Sequence, residues 1–84
     1  MTMNNYHASI NITLRKNILD VQGKTIEHAL HSIEFPMISD VRIGKFLELN
    51  VSAATPEQAQ EIVADACRKL IANPIIEDFE IVIK

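Results

Sequence analysis

Residues 6–15 alternate without a break: Tyr6, Ala8, Ile10, Ile12 and Leu14 fall on one side, His7, Ser9, Asn11, Thr13 and Arg15 on the other. A period of two with β-branched residues predicts a strand with one buried face. The period then lengthens. Asp20 is placed to cap a helix in which Ile26, Ala29, Leu30 and Ile33 recur at i, i+3, i+4 and i+7, ending before Pro36. Alternation returns over residues 38–51, with Val41 and Ile43 before Gly44-Lys45 and Leu47, Leu49 and Val51 after it. Two strands in a tight hairpin are the preferred arrangement; one long strand bent at a glycine bulge is the other. Thr55-Pro56-Glu57-Gln58 opens a second helix with a cap, a proline in the first turn and a glutamine at the capping-box position. Its apolar stripe is Ala59, Ile62, Val63, Ala66 and Leu70, and Asn73-Pro74 ends it. Phe79, Ile81 and Ile83 alternate with Glu80, Val82 and Lys84 as a last strand.

The order is β-α-β-β-α-β. One-sided strands and helices predict an α+β, two-layer ferredoxin-like sandwich, with a four-stranded antiparallel sheet and two helices on one face. The 84 residues form a single domain, 1–84, with no linker or repeat of sequence. The open sheet face is expected to carry Asn11, Thr13, Arg42 and Glu48, with Phe46 and Val82. A chain this short buries only about 60–65% of its unfolded surface, so self-association as a dimer or higher is expected.

Composition removes several classes. With 8 Lys and Arg against 11 Asp and Glu, the net charge is −3, which speaks against a nucleic-acid surface. One Cys allows neither an internal disulfide nor a cysteine zinc site. No apolar run reaches the roughly 18 residues of a membrane span, and the polar start Met1-Thr2-Met3-Asn4-Asn5 is unlike a signal peptide. A cytoplasmic protein fits, with no membrane and no nucleic acid among its partners.

Candidate chemistry is sparse. Cys67 lies beside the second helix's apolar stripe, as a small buried hydrophobe does. His28 and His31 have a spacing that can hold a metal, but no third ligand stands at a defined distance, and no metal site is assigned. Arg15-Lys16-Asn17 follows the first strand without the glycines of an anion cradle and is read as a solvated basic turn. Nucleophile elbow, phosphate loop and acid–base pair are all missing. The chain therefore reads as a binding or assembly module with no catalytic residue of its own. Two segments ask for more than turn chemistry: Leu19-Asp20-Val21-Gln22-Gly23-Lys24, with a glycine inside a helix start, and Asp40-Val41-Arg42-Ile43-Gly44-Lys45.

These two segments, with His28-Ala29-Leu30, Glu48-Leu49 and Asn73-Pro74-Ile75-Ile76-Glu77-Asp78-Phe79, resemble the PurS family, the small subunit of phosphoribosylformylglycinamidine (FGAM) synthase. The blocks occur in order from Tyr6 to Ile83. Val21 departs from the proline the family commonly has there. The resemblance implies a non-catalytic subunit of an ATP-dependent C–N ligase of de novo purine synthesis. In that complex a glutaminase subunit releases ammonia and a large synthetase subunit holds ATP and Mg. The small subunit needs no cofactor, assembles the other two and assists ammonia transfer between them. On this basis Asp20, Gln22, Gly23, Lys24, Arg42, Gly44 and Lys45 are candidate contacts with partner subunits. A reading of another class is a homodimeric regulatory module of the same topology, sensing a small molecule near Gly23.

Overall fold

The computed structural model describes residues 3–84; Met1 and Thr2 of the polar start lie outside them. Three strands and two helices follow in the order β1 (Asn4–Leu14), α1 (Val21–Ser32), β2 (Gly44–Ala53), α2 (Pro56–Ala66) and β3 (Glu77–Ile83). The sheet is antiparallel in the order β2-β1-β3. Ile10 faces Leu47 on one side and Ile81 on the other. β1 is thus central, and Ala8, Ile10 and Ile12 are fully buried with Val63 and Cys67 of the helix above. The opposite face is mixed, built on Ser9, Asn11 and Thr13 with their cross-strand neighbours Glu48 and Asp78 and the exposed apolar Phe46 and Val82.

α2 forms as its sequence dictates. Thr55 Oγ1 accepts from the Gln58 amide at 3.1 Å, and Gln58 Oε1 accepts in return from the Ala54 amide at 2.7 Å. That is a capping box shifted by one residue. Beyond Ala66 the helix widens into a π turn over Cys67–Ile71, closed by Ala72 N–H to Cys67 O at 2.9 Å. One extra residue advances the stripe by about a third of a turn. Leu70, expected in the core, therefore stands 87% exposed, and Ile71 packs against the core in its place. Ile62 of the expected stripe is likewise exposed.

The four-stranded, two-helix sandwich is not what forms. Residues 38–43 pair with no strand, and Gly44 enters β2 opposite Thr13 without any hairpin turn. The chain runs on through Gly44, closer to the bent-strand alternative. Two features keep residues 38–43 off the sheet. Asp40 has φ 57°, a left-handed break in an extended run. The amides of Val41 and Ile43 are already taken by the side chains of Glu27 in α1 and of Asp20, which caps it.

α1 does not cover the sheet either. Gly23 is its only buried residue, and Ile33 of its stripe is 61% exposed. Helix and returning segment project as an arm, and the molecule measures 58 × 24 × 14 Å with a radius of gyration of 16.9 Å. A compact chain of this length would have about 12 Å. The expected open-face position of Arg42 also fails, because Arg42 belongs to the arm.

Candidate partner interface

The arm is a helix gripping an extended strap. Asp20, Glu27 and His31 lie seven and four residues apart, along one stripe of the helix. Asp20 Oδ2 accepts from the Ile43 amide at 2.7 Å, and Glu27 Oε1 from the Val41 amide at 3.2 Å. His31 Nε2 stands 2.7 Å from Ile38 O and donates to it in the Nε2–H tautomer. Asp20 also caps the helix, taking the Gly23 amide on Oδ1 at 2.8 Å. At the far end Glu34, at φ 77°, turns the chain back, and Ile33, Phe35 and Met37 form an exposed apolar tip.

Gly23 is required by this packing. A Cβ there would lie 2.3 Å from Val41 O and 2.9 Å from Asp20 Oδ2. Its φ is not positive, so the need is for space and not for an unusual backbone. Gly44 has the same role at the sheet, where a Cβ would come within 2.6 Å of Ile12 O. The close approach that both glycines allow is thus to the chain's own backbone.

Arg42 joins arm to body: its Nη2 donates to Arg15 O at 2.9 Å and to Leu14 O at 3.4 Å, at the end of β1. Where the arm leaves the sheet it encloses an open cleft of about 500 Å³. Apolar Ile12, Leu19 and Val21 share this cleft with Asp20, Gln22, Gly44 and Lys45, and Lys45 Nζ stands 3.8 Å from Glu77 Oε2 at its edge. Asp20 is only 3% exposed and holds the arm from within. Gln22, Lys24, Arg42, Gly44 and Lys45 are the candidates left at the surface, with Lys24 Nζ 3.9 Å from Glu27. Among the described residues no group of His, Cys, Asp and Glu is placed to hold a metal, and no helix is long and apolar enough to cross a membrane. Burial pushes the Cys67 thiol up.

The sequence pattern singles out neither Glu27 nor the apolar tip, and it offers His31 only as a metal spacing. The signal was a polar stripe at 20, 27 and 31 beside the apolar one.

The grip depends on charge. The amide of Ile43, then that of Gly23, draws the Asp20 carboxyl below its ordinary value against the opposing effect of burial, with Arg42 helping. The Val41 amide does the same for Glu27, with Lys24 and His31 adding to it. A carboxyl lowered in the folded state stabilises it above its unfolded value, about 3.9 for Asp and 4.3 for Glu. That contribution is lost as pH falls through the lower folded values. Acidification below about pH 4 is therefore expected to loosen the strap before the sheet. Amide exchange should accelerate first at Val41 and Ile43, while Ile10 keeps its protection. Loss of protection at all three together would contradict this.

A family model described as PurS, phosphoribosylformylglycinamidine (FGAM) synthase, matches residues 7–84. The chain belongs to the PurS family. The PurS subunit of FGAM synthase from Bacillus subtilis is 38% identical over 74 residues, covering 88% of this chain and 87% of that one. Crystalline PurS from Methanocaldococcus jannaschii, described as one of the subunits of formylglycinamide ribonucleotide amidotransferase, superposes with a TM-score of 0.84. It is 34% identical and covers 94% of this chain and 95% of its own. A chain of the PurLQS structure from Thermotoga maritima gives a TM-score of 0.87 at 33% identity, covering 96% of this chain and 99% of that one. PurS membership favours the assembly reading over the sensor.

Proposed function

We propose that this chain is the small, non-catalytic subunit that joins the glutaminase and the ATP-dependent synthetase of a cytoplasmic FGAM synthase and assists ammonia transfer between them. The observation that carries the reading is the likeness, over 96% of the chain, to a chain of the PurLQS structure. Ammonia released at one active site must reach another without being protonated and diluted in bulk water. A subunit that aligns two such sites works by surface complementarity and needs no acid or base. The projecting arm offers that surface: Phe35 and Met37 at its tip and the exposed Gln22, Lys24, Arg42 and Lys45 contact the partner subunits, while Asp20 and Gly23 keep the arm in shape and Gly44 lets β2 approach β1.

A second copy of the chain completes the fold. On the face shared with α2, Leu47, Leu49 and Val51 of β2 are only half buried, because α1, expected to cover them, projects away from the sheet. The stripe of α1 with Ile26 and Ile33 is exposed at the same time. The α1 of a neighbouring copy, seated on that half of the sheet, covers both.

The pure chain is expected to turn over neither glutamine nor ATP. Assays of glutamate and phosphate release, with the parent complex as positive control, check this. Assembly is tested by size-exclusion chromatography of the chain with the glutaminase and synthetase subunits of the same source. Co-elution is expected, and separate elution at micromolar concentration would contradict the reading.

A further inference from the structure

On the strap side of the β1–α1 turn lie two adjoining clefts, of about 220 and 380 Å³, and both are lined by Lys16 and Arg42. Thr13, Leu14 and Ile43 complete the smaller, which contains no acidic residue; Asp40 lines the larger. The chain carries a net charge of −3, so a cationic notch runs against its overall balance. Four of its eight Lys and Arg are matched: Arg15 with Asp78, Lys24 with Glu27, Lys45 with Glu77 and Lys69 with Asp65. Among the described residues Lys16 and Arg42 have no carboxylate within 4.0 Å. Two unmatched cations thus meet at one concave spot.

Arg42 is also held in place. One terminal nitrogen is bonded to the carbonyls of Leu14 and Arg15, which fixes the guanidinium and leaves its other donors free. A fixed fork loses little freedom when it takes a carboxylate.

We propose that the Lys16–Arg42 notch receives an Asp or Glu side chain of a partner subunit. Charge decides the ligand class. The lining sums to +2 in the smaller cleft and, with Asp40, to +1 in the larger. A single carboxylate is balanced there, whereas a nucleotide polyphosphate would meet Asp40 with excess negative charge. The inference deepens the assembly reading above and rests on it.

The test uses the whole complex. Lys16 is exposed in a turn, so Lys16→Glu should leave the melting curve unchanged. It should weaken assembly by roughly tenfold to a hundredfold and flatten the salt dependence of assembly. Arg42 is avoided as a probe because it also ties the arm. Carbodiimide, which condenses an amine with a carboxylate in contact and releases the activated oxygen as a urea, should link Lys16 to an Asp or Glu of a partner chain, located by mass spectrometry. Lys69→Glu, on the far end of the second helix, should assemble as the parent does. Parent-like affinity of Lys16→Glu together with no Lys16 cross-link would overturn the proposal. So would saturable binding of inorganic phosphate at Lys16 with parent-like assembly of Lys16→Glu, which would assign the notch to a small anion. If the parent chain itself fails to join the complex, the assembly reading falls and this proposal with it.

Discussion

Gly23→Val should strip the strap from the helix while leaving the sheet intact. The new Cβ would sit 2.3 Å from a backbone oxygen, Val41 O, which can yield only if the strap moves as a whole. Moving it stretches the bonds that Ile43 and Val41 make to Asp20 and Glu27. Overpacking of this kind costs about 1–3 kcal/mol. At 1.4 kcal/mol per decade, the mid-range cost corresponds to amide exchange roughly 30-fold faster at Val41 and Ile43. Ile10 and Ile12 in β1, packed under Val63 and Cys67, should keep their protection. Gly23→Ala adds the same Cβ and should do most of the harm. Unchanged exchange at Val41 in both variants would mean that the strap is not held by this contact.

A comparably large effect is expected for Ile33→Lys on self-association. Ile33 is 61% exposed at the C-terminal end of α1. A lysine there suits the helix dipole, so the isolated chain should fold as before. Seated against Leu47, Leu49 and Val51 of a second copy, the same lysine would bury an unpaired charge. Self-association should weaken by roughly a hundredfold, about 2.7 kcal/mol. Sedimentation equilibrium at tens of micromolar should give a dimer or larger for the parent and a monomer for the variant. Equal masses would place the interface elsewhere.

Much of this architecture could be read before any coordinates. The three strands of the sheet, both helices, the caps at Asp20 and Thr55 and the buried line Ala8, Ile10, Ile12 follow from periodicity and end signals alone. The error lay in what residues 38–43 and α1 pack against. Alternation at Val41 and Ile43 reports one-sided burial, and a strap gripped by Asp20 and Glu27 produces the same alternation as a strand in a sheet. A helical stripe of Ile26, Leu30 and Ile33 likewise says that something will cover it, without saying that the cover is the chain's own sheet. Leu70 was misplaced for a local reason: the π turn at Cys67–Ile71 shifts the phase, and no residue there announces the extra one. Of the candidate contacts, Asp20 and Gly23 lie inside the arm, where they hold helix and strap together. Lys16 was set aside as a solvated turn because its companion, Arg42, is 26 positions away in the chain.

The central claim is that this chain serves by coupling two active sites. It is tested most directly by paired rates of FGAM formation, with glutamine and with an ammonium salt, from the glutaminase and synthetase subunits in the presence and absence of the chain. Without the chain, synthesis from ammonium salt should persist and synthesis from glutamine should be nearly lost. Titrating the chain in should restore the glutamine rate and leave the ammonia rate little changed. Full glutamine-dependent synthesis in its absence would contradict the account.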